Sequence, residues 1–302
     1  LAHTLGSVSV WDLDFARFFS TRETIKSGIY LTQPYQPGRV PVMLVHGTAS
    51  SPLWWGEMLN TLRSDTVLRE RCQFWIYAYN TGLPVTVSGA RFREALSNTF
   101  QRLDPQGKDP TLRQTVVVGH SQGGLLAKMA VTETDDKLWR VISDKSLDEI
   151  TQLKPQQREL LRRALFFNPV PGVTRVVFIC TPHRGSFLAT SFVRKLAARL
   201  VSLPNLLVIS TEEEAELKKQ LRLPAEYKLS APTSLEGMSP SNHVLLAMAD
   251  IPPAPGVVAH SIIAAKDPAK VPHANDGVVE YGSAHVTYVE SELIVRSGHT
   301  CQ

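Results

Sequence analysis

The 302-residue chain has few cysteines: Cys72, Cys180 and Cys301. None belongs to a CxxC pair, which excludes zinc ribbons and dithiol redox motifs, and three thiols close one disulfide at most. Cys180 ends an apolar run and reads as an ordinary core residue. Long apolar runs are missing as well. The longest are of the order of Val40–Val45 and Val176–Cys180, whereas a membrane span needs about 20 predominantly apolar residues. Neither sign of charge dominates: 32 Lys+Arg against 28 Asp+Glu leave +4, spread along the chain. Such a balance suggests no nucleic-acid partner. No internal repeat, low-complexity segment or signal-peptide core is visible, and the chain opens at Leu1 rather than Met, so it does not encode its compartment. With 18 Gly, 20 Pro and 43% hydrophobic residues, collagen, coiled coil and disordered tail are excluded. A chain of this length buries roughly three quarters of its unfolded surface and needs no metal or disulfide to fold.

What the chain has is alternation. Apolar runs at Pro41–Val45, Gln73–Tyr79, Thr115–Val118, Arg175–Cys180, Val257–Ala265 and Thr287–Val295 alternate with helix-period segments. Nearly continuous runs suit strands buried on both faces of a parallel sheet. Between the second and third run, Phe92, Leu96, Phe100 and Leu103 share one helical face. The pattern predicts an α/β fold with about six mostly parallel strands flanked by helices. Two stretches interrupt it. The charged segment 132–172 carries a helical stripe of Leu160, Leu161, Ala164 and Leu165 after Pro155. Residues 186–255 hold helical patterns at Phe187–Leu203, about Thr211–Leu223 and Ser241–Ala249, more than a crossover needs. The expected organisation is an extension at 1–39, a core at 40–185 and 256–302, with 132–172 partly lid-like, and a helical lid at 186–255.

The sharpest motif is Gly119-His120-Ser121-Gln122-Gly123-Gly124, after Val116-Val117-Val118 and before a helical pattern. Gly-x-Ser-x-Gly at a strand-to-helix junction is the context of a nucleophile elbow, with glycines where strand and helix backbones come close. The helix start aims amides at a developing oxyanion. His46-Gly47-Thr48 follows the first core strand, where a second oxyanion amide is expected; the two amides are assigned to Thr48 and Gln122. An acid is offered by Asp267 or by Asp276, the latter in an Asp-Gly turn. Among nine histidines, His299 stands just past the last strand, the place of a base in the order Ser…Asp…His, with His273, His285 and His260 as competitors. His120 should point away from the serine. His46 and His183 sit in strand-end loops where they could line a pocket.

These residues, with Thr181-Pro182-His183-Arg184-Gly185-Ser186, Asn275-Asp276-Gly277-Val278-Val279 and Ser297-Gly298-His299, resemble α/β-hydrolases of the bacterial lipase and GPI-inositol-deacylase-like group, and a set of bacterial and metagenomic carboxylesterases. The resemblance spans residues 40–300. It implies an acid in an Asp-Gly-Leu/Val turn some twenty-odd residues before the base; 299 − 276 = 23 selects Asp276. It further implies a serine carboxylic-ester hydrolase without cofactor, acting from a secreted, periplasmic or envelope-associated bacterial location on small-molecule or polymeric esters, including at a lipid or insoluble-ester surface. A thioesterase, amidase or acyltransferase would use the same triad, and a non-catalytic binding module the same fold. Thr48 departs from the Leu or Phe usual after His-Gly. No acidic cluster supports the calcium some members hold, and the sequence ends three residues past His299, so the helix that usually follows this loop either lies beyond it or is replaced by another element at that edge. From topology, both insertions leave the carboxyl ends of strands, where ligands sit. Phe187, Leu188 and Phe192 are therefore expected to form one wall of an apolar acyl-binding cleft.

Overall fold

Seven strands make one sheet in the order β1-β3-β2-β4-β5-β6-β7. They are β1 (Gly28–Leu31), β2 (Val40–Val45), β3 (Cys72–Ala78), β4 (Thr115–His120), β5 (Val173–Ile179), β6 (Val258–Ala265) and β7 (Ser291–Arg296). All neighbours pair in parallel except β1, which runs antiparallel to β3 with Tyr30 opposite Ile76. This is a computed structural model, and it describes residues 26–48, 50–186, 221 and 237–302. The helix expected at 187–203, with Phe187, Leu188 and Phe192, lies outside the described residues, as does the one at 211–223 apart from Leu221.

The apolar runs divide between the two faces of the sheet with period two. Met43, Val45, Trp75, Tyr77 and Val117 belong to one buried cluster, while Leu44, Phe74, Ile76 and Val118 belong to the other. On the second face lies α1 (Gly56–Ser64), with its Leu59 in that cluster; α2 (Thr66–Arg71) follows it and buries none of its residues. On the first face lies α3 (Val85–Leu103), whose Phe92 and Leu96 are fully buried and whose Phe100 and Leu103 pack on the same cluster. Each fully buried side chain of this size stabilises the fold by about 1.5–3 kcal/mol. The same cluster takes α4 (Gln122–Met129) through Leu125, Leu126 and Met129. The remaining helices are α5 (Lys137–Arg140), α6 (Pro155–Leu165), α7 (His243–Asp250) and α8 (Tyr281–Ala284).

Two expectations change. The sheet gains β1, a four-residue edge strand within the 1–39 extension, too short to show a period. Segment 132–172 is part of the core rather than a cover: Leu138, Trp139, Ile142, Leu147, Ile150 and Leu153 are buried in the main cluster. Its charges outnumber these residues, which hid the core positions. Within the 186–255 stretch, Leu221, Met238, Leu245, Met248 and Ile251 are buried in the same cluster, and Ser186 N–H donates to Met238 O at 3.0 Å.

Candidate active site

β4 delivers His120 and stops, and α4 starts at Gln122. Ser121, between them, takes φ 53° and ψ −124°. A non-glycine residue held there costs about 1–3 kcal/mol unless its surroundings dictate it. They do: Ser121 N–H donates to Ile179 O at 2.8 Å, and Ser121 O accepts from Gly124 N–H at 2.9 Å. The turn also closes tightly on β2. A Cβ on Gly123 would stand 2.1 Å from Val45 O, and one on Gly47 would stand 2.8 Å from Ser121 Cβ. The His46-Gly47-Thr48 loop therefore lies against the serine. Gln122 opens the helix, where backbone N–H groups have no intrahelical acceptor. Its Oε1 accepts from Thr48 Oγ1 at 2.5 Å, and the Thr48 hydroxyl also approaches Met238 Sδ at 3.8 Å.

Asp276 and His299 meet. His299 Nδ1–H donates to Asp276 Oδ2 at 2.8 Å, and Asp276 Oδ1 accepts from the N–H groups of Val278 (2.8 Å) and Val279 (2.7 Å). Asp276 is 2% exposed. Burial alone would push its carboxyl up; the hydrogen bond and charge of His299, with the two amides, outweigh burial and hold it below the ordinary carboxylate value. An ionised Asp276 fixes the His299 proton on Nδ1 and leaves Nε2 as the free base. No hydrogen bond joins the Ser121 hydroxyl to His299 among the described residues; such contacts are often open in the absence of substrate.

The competitors are engaged elsewhere. Asp267 pairs with Lys270 at 3.4 Å. His285 binds Glu292 at 2.7 Å, and His260 lies between Arg175 and Ser291. His273 contributes its backbone to a turn on Lys270 O.

Three other histidines are buried. His120 faces His299: its Nε2–H donates to His299 O at 2.8 Å and the two rings lie 4.9 Å apart. Burial, then the neighbouring His299, pushes His120 down to about 4, so it is neutral near pH 7. His46 is sealed at 2% exposure beside Tyr79, whose hydroxyl donates to His46 O, and burial lowers it to about 4. His183 is 0% exposed, edge-on to Phe178, and burial holds it well below its ordinary value. His46 and His183, expected to line a pocket, are both buried, and His46 Nε2 and both His183 ring nitrogens make no hydrogen bond among the described residues.

Sequence reasoning missed His120 as a support of His299, Met238 beside Thr48, and Cys301, whose Sγ lies 3.2 Å from Cys180 Sγ. Only proximity to His299 in the chain could have marked Cys301. One set of metal-ligand types gathers among the described residues, His120, Cys180 and His299, with ligand atoms within 4.8 Å of one another. Hydrogen bonding already accounts for His120 Nε2, His299 Nδ1 and Cys180 Sγ.

A family model described as the alpha/beta hydrolase family matches residues 42–301. No curated protein matches the chain. Among solved structures, the chain is similar to lipase BlEst2 of Bacillus licheniformis in mature form (TM-score 0.46, 14% identity, 92% of this chain and 93% of that one). The propeptide form of that lipase gives TM-score 0.50 at 13% identity, covering 92% of this chain and 50% of that one. A lipase-esterase related protein from Clostridium acetobutylicum gives TM-score 0.43 at 15% identity, covering 91% and 93%. At such identities the likeness is one of fold.

Proposed function

The chain belongs to the alpha/beta hydrolase family, and on that premise we propose that it is a serine carboxylic-ester hydrolase working through an acyl-enzyme. The observation that carries this reading is the Asp276–His299 bond, with its carboxylate anchored on two amides, together with a serine held at φ 53° at the head of α4. Ser121 Oγ attacks the ester carbonyl while His299 Nε2 takes its proton. The imidazolium so formed faces the Asp276 carboxylate and then gives the proton to the leaving alcohol. Water enters against the same base and releases the acid. The oxyanion is held by the N–H groups of Gln122 and Thr48, each worth roughly 3–4 kcal/mol. The Thr48–Gln122 side-chain bond ties the two donor residues together, so their amides keep a fixed spacing as charge develops.

Hydrophobic esters are the proposed substrates. The insertion leaves at Ser186 and returns at Met238, and Met238 touches Thr48. Met238, at the described end of this stretch, therefore lies beside the proposed oxyanion loop, where it can influence which acyl chains enter. The deciding experiment sets Ser121→Ala beside wild type on chromogenic esters from two-carbon to sixteen-carbon acyl groups, with matched thioesters and anilides. Wild-type turnover of esters, lost by at least about 10³-fold in the variant, is the expected result. Turnover confined to thioesters or anilides replaces the substrate class, and no turnover of any of them favours a binding module.

A further inference from the structure

Beyond the hydrolytic site, two sulfur atoms 121 residues apart in the chain meet at its back. β5 ends at Ile179, and Cys180 leaves the strand at φ 48°, its N–H held by Ile262 O at 2.9 Å. Cys301 comes two residues after His299 and packs on the same cluster as Leu44, Ile179 and Ala264. The two Sγ atoms are 3.2 Å apart, and both residues are free thiols. We propose that Cys180 and Cys301 are a redox pair whose disulfide fastens the His299 segment to the end of β5.

The two thiols are unequal in a way that suits exchange. Cys180 is 1% exposed, while Cys301 is half-buried. The contact between the two sulfurs, with burial, raises the Cys180 thiol, and the same contact outweighs burial at Cys301 and holds that thiol below its ordinary value. Cys301 is thus the accessible nucleophile and Cys180 the resolving thiol. With oxidised glutathione as oxidant, the Cys301 thiolate attacks one glutathione sulfur, the glutathione S–S bond breaks, and a glutathione thiolate leaves. Cys180, giving up its proton to solvent, then attacks Cys301 Sγ, the mixed disulfide breaks, and the second glutathione thiolate leaves. The protein loses two hydrogens and one glutathione disulfide becomes two thiols. Cys72, at the start of β3, has neither a facing sulfur nor a place in this exchange. The bond itself does not depend on the proposed function; its consequence for catalysis rests on His299 being the base.

The test uses the folded chain equilibrated with oxidised glutathione, then acid-quenched, denatured and alkylated with iodoacetamide. The expected protein takes one label, on Cys72, and digestion yields a peptide containing Cys180 linked to one containing Cys301; dithiothreitol restores three labels. Cys301→Ser keeps labels on both Cys72 and Cys180. Three labels on treated wild type, a glutathione adduct that persists on Cys301, or a link through Cys72 overturns the pairing. The fastening is read by hydrogen exchange of the 297–302 backbone, expected about tenfold slower in the oxidised form; equal exchange in the two forms overturns it. Ester turnover, measured alongside, bears on the proposed function alone, since neither the label count nor the exchange rate requires it.

Discussion

Replacing Asp276 by Asn tests the proposed base through its partner, and the structure sets the size of the effect. Asp276 serves two clients: Oδ2 accepts from His299 Nδ1–H, and Oδ1 accepts from the amides of Val278 and Val279. An asparagine has one acceptor oxygen and one NH₂ donor, so it can serve one client only. Facing the amides with its oxygen, it presents NH₂ to Nδ1, which must then carry the lone pair. The ring proton moves to Nε2, and His299 can no longer take a proton from Ser121. The flipped amide restores the productive tautomer but sets NH₂ against two buried N–H groups. Leaving both unsatisfied costs about 2–6 kcal/mol at 1–3 kcal/mol each, which leaves roughly 3 × 10⁻² to 4 × 10⁻⁵ of the molecules productive. Loss of the charge facing the imidazolium acts in the same direction, and the same change in the serine-protease triad lowers kcat about 10⁴-fold. The expected outcome for Asp276→Asn is kcat on a soluble butyrate ester down by about 10³–10⁴, with KM and melting temperature close to wild type because the Oδ1 bonds survive. Asp267→Asn, at a solvent-facing pair with Lys270, should leave kcat within about twofold. An Asp276→Asn enzyme that keeps a tenth of its kcat would refute the reasoning.

Three further outcomes follow from the same geometry. Ser121→Gly should abolish turnover yet raise stability by about 1 kcal/mol, since glycine accepts φ 53° without the left-handed penalty; a lower unfolding midpoint than wild type would contradict the strain argument. Gly123→Ala should yield a protein destabilised by more than about 3 kcal/mol or unable to fold, because the added carbon meets Val45 O at 2.1 Å; near-wild-type stability and activity would show that β2 and α4 do not close on each other. Stability should fall as pH drops from the ordinary histidine value of 6.5 toward 4. Burial lowers His46 and His120 to about 4, so the unfolded chain binds more protons there than the folded one, and stability present above pH 6.5 is lost through this window. Each contributes roughly 3 kcal/mol at full effect, order of magnitude only; urea unfolding that is flat between pH 7 and pH 4.5 would refute it.

How much of this was legible varied with how local each signal is. Strand runs and the α3 stripe are periodic within the chain, so their elements were readable, and the two-face split of Phe74 and Trp75 follows from that same period. Ser121 was readable because the elbow packs strand, serine and helix into one short stretch. Asp276 was separated from Asp267 by its spacing to His299, which the resemblance interprets and a bare sequence does not. Contacts between distant segments left no trace. His120 meets His299 across 179 residues and Cys180 meets Cys301 across 121, and neither pair has a spacing that announces it. His46 and His183 are a different case. Polar residues in strand-end loops suggest a pocket, yet here they are buried at 2% and 0% exposure.

The strained positions show why the site belongs at this end of the sheet. Ser121 and Cys180 both take left-handed φ, at 53° and 48°, and they follow neighbouring parallel strands. Each is held by an N–H bond to the next strand across: Ser121 to Ile179 O on β5, Cys180 to Ile262 O on β6. A strand that simply continued would send both side chains into the sheet's alternating pattern. The sharp exit instead frees one to face the loop of β2 and sets the other against Cys301. Two left-handed residues cost about 1–3 kcal/mol each, a cost the stacked strands can offset because Phe178, Ile179 and Cys180 are each 1% exposed. Rigidity and strain are thus coupled through β5. Softening its buried end should loosen the serine turn and the His299 segment together. An Ile179→Ala variant, expected to lose about 2–5 kcal/mol of stability, should therefore lower kcat even at temperatures where it stays folded. A variant with that stability loss and wild-type kcat would show that the turn holds its geometry without the strand beside it.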